Sequence, residues 1–101
     1  MYKLLQTDTY RNWENALHDK RAKQIIVARL FRIANGLFGD VQPVGEGINE
    51  IRIHYGPGYR IYFQQRKDIL IILLCGGDKS TQREDIKRAK EIAGRLEENE
   101  Q

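Results

Sequence analysis

A glycine pair followed by polar side chains, GGDKSTQ at residues 76–82, has the residue types of an anion-binding site. It directly follows the apolar run ILIILLC and precedes a segment with a helical apolar period. Backbone N–H groups at the start of a helix attract anions such as phosphate. Candidate contacts are Lys79, Ser80, Thr81 and Gln82. The stretch also fits a plain helix start, because Thr81 and Glu84 have the spacing of a capping box.

A second group of polar residues lies in two alternating segments, INEIRIHY and YRIYFQQR, on either side of a GPG turn. If these segments pair as strands, Arg52, His54, Arg60 and Tyr62 project from one face. With Lys79 they would form a cationic floor with one imidazole. Such a floor suits metal-free attack by a ribose 2′-hydroxyl on its own phosphate, which needs cations, a base and an acid. Each residue alone also fits a solvated surface position.

Composition limits the other classes of function. The chain has 101 residues, enough for one domain over residues 1–101, with a frayed tail expected at 97–101. Cys75 is the only cysteine, and two separated histidines do not form a metal cage, so we expect neither metal nor cofactor. The net charge of +3 suggests a polyanionic or acidic partner. Without a leader or a long apolar run, we expect a cytoplasmic protein and no membrane partner.

The first part of the chain has the pattern of a short strand and two helices. Residues 2–6 favour the strand, and Thr7 or Asp8 can cap the first helix; Asp19 can cap the second. Few residues separate the two helices, which predicts a helical hairpin. The apolar stripes of the helices are Tyr10, Trp13 and Leu17, and Ile26, Val27, Leu30, Phe31, Ile33, Ala34 and Leu37.

After Gly39 the apolar period changes from 3.6 residues to 2, which predicts an antiparallel β-meander. DVQPVG is a short strand limited by Pro43, and the two alternating segments form a hairpin with one apolar and one polar face. The unbroken run ILIILLC predicts a central strand covered on both faces. The helical period returns at Thr81, which predicts a C-terminal helix from that residue. The fold class is therefore α+β, in the order β-α-α-β-β-β-β-α.

The combination of GPGYRIYF, an apolar strand and LLCGGDKSTQREDIKRA resembles the RelE/ParE superfamily of type II toxins. More narrowly, nearly the whole chain is similar to the addiction-module killer protein branch, which is close to HigB-type toxins. The resemblance implies a small sheet with a helical hairpin and a further C-terminal helix. It also implies a cognate helix-turn-helix antitoxin as partner, with operator DNA contacted only through that antitoxin.

The resemblance implies two kinds of activity. RelE-like members cut mRNA on the ribosome, whereas ParE-like members inhibit DNA gyrase; a degenerate toxin that only binds its antitoxin is a third possibility. Our leading hypothesis is a ribosome-dependent mRNA endoribonuclease that inhibits translation. Arg60 matches the arginine of the family's Tyr-Arg strand and, with Lys79, would stabilise the phosphate. His54 is our candidate base. The remaining expected RNA contacts are Arg52, Tyr62, Ser80, Thr81 and Gln82.

Overall fold

The computed structural model describes residues 1–99 and has α+β architecture, as the sequence predicts. The helices are α1 (Asp8–Ala16), α2 (Lys20–Ala34) and α3 (Gln82–Asn99), with a short 3₁₀ turn at Lys79–Thr81 before α3. The strands are β1 (Lys3–Gln6), β2 (Val41–Gly45), β3 (Ile48–Ile53), β4 (Tyr59–Arg66) and β5 (Leu70–Gly77). The element order is the predicted one.

The five strands form one sheet in the order β1-β5-β4-β3-β2. Strands β2 to β5 are the predicted antiparallel meander, and β1 adds to it parallel to β5. Strand β5 therefore has a neighbour on each side, and most of it is buried, which confirms the prediction from its unbroken apolar run. Pro43 lies in β2, at one edge of the sheet, where its missing N–H costs no ladder hydrogen bond to a further strand.

The two N-terminal helices begin at the predicted caps and cover one face of the sheet. The Thr7 hydroxyl accepts a hydrogen bond from the Tyr10 backbone N–H, and the Asp19 carboxylate accepts from the N–H groups of Arg21 and Ala22. The core under these helices is the predicted apolar face of the meander with residues of both helices. Its fully buried members include Tyr10, Ile26, Ile33, Ile51, Ile61, Ile71 and Leu73.

Helix α3 covers the opposite face of the sheet, and this corrects the prediction of a hairpin with an open polar face. Tyr62, Leu74 and Cys75 are buried there against Ala89 and Ala93 of the helix. A bulge between Tyr62 and Phe63 shifts the β4–β5 register at this point. Burial raises the pKa of the Cys75 thiol to about 12, in keeping with its predicted role as a small core residue. At the end of the polar face beside the GPG turn, Arg52 and Arg60 are only partly buried.

The second helix departs from its predicted packing at three apolar positions. Val27 and Phe31 are 56% and 71% exposed, and Leu37 lies beyond the helix and is 64% exposed. The stripe that packs into the core is narrower than the sequence pattern: Ile26, Leu30 and Ile33 are buried in the core under the helices, and Val27 and Phe31 are not. Val27 and Phe31 are therefore left on the outer surface of α2.

The glycine pair has a packing role that the sequence alone does not reveal. A Cβ atom at Gly76 would overlap the indole ring of Trp13, and one at Gly77 would overlap the carboxylate of Asp85 and the Thr81 hydroxyl. The two glycines thus let α1 and the start of α3 approach the end of β5 from opposite faces. Trp13 is partly buried against the core, as predicted.

The C-terminal helix continues into the segment that the sequence marked as a frayed tail. Helix α3 ends at Asn99, so Glu97 and Glu98 belong to it, and the last two residues of the predicted tail lie outside the described residues. Within residues 1–99, no helix combines the length and apolar character required to cross a membrane.

Candidate functional site

A buried carboxylate, Glu50, is at the centre of the candidate site. Its side chain is fully buried on β3, directly opposite Tyr62 of β4. Glu50 accepts hydrogen bonds from Arg52 Nε at 2.8 Å, from the Tyr62 hydroxyl at 2.9 Å and from Gln82 Nε2 at 2.9 Å. The alternation of INEIRIHY predicts that Glu50 shares the polar face with Arg52, but it indicates no role for Glu50. Its position two residues before Arg52 was the available signal.

The hydrogen bonds keep Glu50 ionised in spite of its burial. Burial raises the pKa of the Glu50 carboxyl, whereas the hydrogen bonds from Arg52, Gln82 and Tyr62 lower it. The combined lowering is the larger effect, so the pKa lies below its ordinary value. Burial, and after it the hydrogen bond to Glu50, raises the pKa of the Tyr62 hydroxyl. Glu50 is therefore a fixed negative charge that orients its donors.

Two arginines share this one carboxylate. Arg60 of β4 is directly opposite Arg52 of β3, and its Nε lies 3.5 Å from Glu50 Oε2. At that distance the Nε makes an ion pair but no hydrogen bond, and the side chain of Arg60 is only 12% exposed. The Arg52 side chain is 37% exposed. Because two arginines share one carboxylate, the group formed by Arg52, Arg60 and Glu50 has a net positive charge.

Lys79 lies close to the same arginine across the GPG turn. A Cβ atom built on Gly58 would lie 3.5 Å from Arg60 Nη1 and 3.5 Å from the Cβ of Lys79. Arg60 Nη1 also donates to the Gly58 carbonyl at 3.1 Å. Lys79 itself is exposed. The structure thus brings Arg52, Arg60 and Lys79 to one end of the sheet, with Arg60 at the bottom and Lys79 at the surface.

His54 directly follows β3, and its direct partner is Asp40 rather than the Glu50 group. His54 Nε2 lies 2.6 Å from Asp40 Oδ2, and the imidazole is 76% exposed. This hydrogen bond, with a further one from Gln42, lowers the pKa of the Asp40 carboxyl. Because an ionised Asp40 can only accept, Nε2 of His54 is the donor in this contact. Asp40 could not be identified from the sequence, because its contact with His54 depends on the pairing of β2 with β3.

The predicted anion site in GGDKSTQ is occupied by a residue of the same stretch. Asp78 is the N-cap of the 3₁₀ turn: its carboxylate accepts from the Ser80 N–H at 2.8 Å and from the Ser80 hydroxyl at 2.5 Å. The Thr81 hydroxyl completes this capping box by accepting from the Asp78 N–H at 3.2 Å. The predicted box of Thr81 with Glu84 is therefore wrong, and the Thr81 hydroxyl instead donates to Asp85 at 2.5 Å.

Several of the expected RNA contacts have internal partners. Tyr62 is fully buried, which corrects its predicted exposure on an open face: α3 covers it, and its hydroxyl is bound to Glu50. Gln82 is half-buried and directs its amide to Glu50 as well. Ser80 and Thr81 are exposed but bound within the cap. Among residues 1–99, no three potential ligands of the types His, Cys, Asp and Glu come together as a metal cluster.

Comparison with known proteins gives the family of the chain. The family model described as "Phage derived protein Gp49-like (DUF891)" matches residues 12–97. The chain belongs to this family. It is a family of toxins of toxin–antitoxin systems with a RelE/HigB-like fold, and membership suggests an antitoxin partner. The chain is also 50% identical over 90 residues to an uncharacterized protein of Haemophilus influenzae (strain KW20 / Rd), covering 89% of this chain and 91% of that protein.

Proposed function

We propose that this Gp49-like toxin is an endoribonuclease that cleaves mRNA on the ribosome and so inhibits translation. The observation that carries the proposal is the group formed by Arg52, Arg60 and Lys79 at the open end of the sheet, with both arginines paired to Glu50. Preorganised cationic side chains stabilise the negative charge that develops on a phosphate during cleavage. HigB-like membership and a specific antitoxin are parts of the same proposal.

The proposed reaction is attack of a ribose 2′-oxygen on the adjacent phosphorus. A bond forms between the 2′-oxygen and phosphorus, the bond from phosphorus to the 5′-oxygen of the next nucleotide breaks, and a 2′,3′-cyclic phosphate and a 5′-hydroxyl result. The attacking hydroxyl gives its proton to a base, and the leaving oxygen takes one from an acid. Arg60 and Lys79 would bind the non-bridging phosphate oxygens, and Arg52 would add a supporting charge.

His54 is the proposed base. Its bond to Asp40 has the arrangement in which a carboxylate fixes the tautomer and orientation of an imidazole. His54 directly follows the end of β3 at Ile53 and is two residues from Arg52; two residues of extended chain span about 7 Å. A phosphate on the arginines would have its ribose within reach of this imidazole. Glu50 and Tyr62 are positioning residues in this scheme, since both are buried.

The test is controlled expression of the chain without its antitoxin, followed by pulse labelling of protein and DNA synthesis. We expect protein synthesis to stop first, with cleaved mRNA whose upstream fragments end in a cyclic phosphate. Arrest of DNA synthesis first, with intact mRNA, would instead support a ParE-like inhibitor of gyrase. Purified chain with ribosomes and a defined mRNA then separates ribosome-dependent cleavage from cleavage of free RNA. A chain that binds its antitoxin but arrests neither process would be a degenerate toxin.

A further inference from the structure

The outer surface of α2 has an apolar groove that the candidate site does not use. A shallow, open depression of about 650 Å³ lies along the helix and is lined by residues of α2, among them Val27, Ala28 and Phe31. A second cavity, of about 300 Å³, shares Val27 and Phe31 and continues towards Leu4 of β1. Phe31 is 71% exposed, although it is one of the largest apolar side chains of the helix. We call this surface the α2 groove.

Positive charge borders the α2 groove along α2, which contains no acidic residue from Lys20 to Ala34; on the side of α1, Glu14 lines the second cavity. Lys23 and Arg32 are part of its lining, and Lys20 and Arg21 are exposed at the start of the helix. The fifth basic residue of α2, Arg29, is buried and does not belong to this surface. It donates to the carbonyls of Phe38, Asp40 and Arg52 and so ties the helix to the sheet.

We propose that the α2 groove binds an amphipathic helix of the antitoxin, with an apolar stripe for Val27 and Phe31 and with acidic side chains beside that stripe. Val27 and Phe31 are four residues apart on one helix face, the spacing at which one helix packs its ridges against another. Acidic flanks would pair with Lys23 and Arg32. The inference rests on the proposed function only in taking the partner to be the antitoxin.

The charges distinguish this occupant from two others. A second copy of the chain would bring an equally basic helix against α2, and like charges at an interface oppose association. RNA would pair with the cations but would leave the aliphatic surface of Val27 and Ala28 without an apolar partner. A groove with an apolar floor and basic borders is complementary to an acidic amphipathic helix on both counts.

The experiment compares Phe31→Asp with Ile69→Asp in titrations with the purified product of the gene adjacent to that of this chain. Ile69 is 62% exposed but lies outside the groove, so it controls for the loss of an exposed apolar side chain. We expect Phe31→Asp to weaken binding at least tenfold and Ile69→Asp to leave it unchanged. Arg32→Glu should also weaken binding, and it should reduce the dependence of affinity on salt.

Growth arrest by each variant is measured in parallel, so that the inference and the proposed function can fail separately. Phe31→Asp should still arrest growth and should resist neutralisation by the antitoxin. Binding equal to that of the original chain would overturn the groove assignment and leave the toxin activity standing. Loss of toxicity with normal antitoxin binding would assign the groove to RNA or the ribosome. A dimer that Phe31→Asp dissociates would assign it to a second copy, again against the proposal.

Discussion

The Tyr62 hydroxyl donates a 2.9 Å hydrogen bond to the Glu50 carboxylate, and both side chains are fully buried beneath α3. This contact fixes one oxygen of a carboxylate whose other oxygen accepts from Arg52. A charged group at such a position requires several donors to offset its loss of water. The Glu50 group is therefore both part of the core and the support of the candidate site.

Glu50→Gln removes the negative charge that holds the two arginines. We expect a loss of roughly 3 kcal/mol in the free energy of unfolding, the scale for removing one partner of a buried ion pair. Tyr62→Phe is the matched control: it removes one hydrogen bond to the same carboxylate and should cost about 1 kcal/mol. Urea unfolding at pH 7 measures both. Equal losses in the two variants would contradict a special role for the charge.

The stabilisation by Glu50 should disappear in acid. Because the folded-state pKa of Glu50 is below its unfolded value of about 4.3, its contribution is fully present above that pH. The contribution is lost as the pH falls through the lower, folded-state pKa. The difference in unfolding free energy between the original chain and Glu50→Gln should therefore be constant from pH 7 to about pH 5 and shrink below about pH 4. A difference independent of pH would show that Glu50 is not ionised in the fold.

Arg60→Lys tests whether the candidate site needs the guanidinium group itself. Lysine keeps the charge but loses the guanidinium donors, of which Nη1 binds the Gly58 carbonyl and which the proposed mechanism directs to a phosphate. We expect cleavage to fall about 100-fold, the scale for losing one preorganised electrostatic donor. Since Arg60 is mostly buried, the variant's fold must be checked by circular dichroism and its melting temperature.

Arg11→Lys is the control for Arg60→Lys. Arg11 is exposed and makes a surface ion pair with Asp8 on α1. We expect its activity and stability to be unchanged within about 0.5 kcal/mol. Full cleavage by a folded Arg60→Lys variant would remove this arginine from the proposed mechanism.

The elements could be predicted from the sequence, whereas several contacts at the site could not. Apolar periods of 3.6 and 2 residues give the helices and strands, and Thr7 and Asp19 mark the helix starts correctly. The role of Glu50 depends on where α3 packs, because the alternation in INEIRIHY is the same for an open face and a covered one. The helical period shows that Phe31 belongs to the apolar side of α2. It does not show how wide a part of that side the sheet can cover, and the exposure of Phe31 depends on this width.

The same limit applies to residues separated along the chain. Asp40 contacts His54 only because β2 and β3 pair in one register. The register that brings Arg52 opposite Arg60, in contrast, follows from pairing the alternating segments around the GPG turn, as the sequence analysis assumed. Local patterns therefore indicate the cationic residues, whereas the contact of His54 with Asp40 depends on long-range pairing.

Variants of Asp78 and Lys79 test separately the two roles of this stretch, helix capping and phosphate binding. Asp78→Ala should cost about 1 kcal/mol of stability, because it removes the N-cap, and Asp78→Ser should retain most of it. Lys79 is exposed, so Lys79→Ala should change stability by less than about 0.5 kcal/mol. It should nevertheless weaken RNA binding, with a loss that shrinks as salt is raised. Unchanged RNA binding by Lys79→Ala at low salt would leave the capping role as the function of this stretch.

The last prediction concerns two glycines with opposite surroundings. A methyl group at Gly76 would overlap the Trp13 ring, whereas nothing lies within 4 Å of a Cβ atom at Gly94 of α3. Gly76→Ala forces α1 away from β5, and we expect a loss of roughly 2 kcal/mol, the scale of overpacking in a core. Gly94→Ala should stabilise the protein by about 0.5–1 kcal/mol, since alanine restricts the unfolded chain and favours the helix.

Urea unfolding followed by the fluorescence of Trp13 measures both glycine variants, and it reports directly on the ring that Gly76 contacts. We expect the emission of folded Gly76→Ala to shift to longer wavelength, because displacement of the ring exposes it to water. The emission of folded Gly94→Ala should match that of the original chain. If Gly76→Ala is as stable as the original chain, close contact with the indole ring is not the reason for a glycine at this position. In that case α1 and β5 must be able to accommodate a methyl group between them.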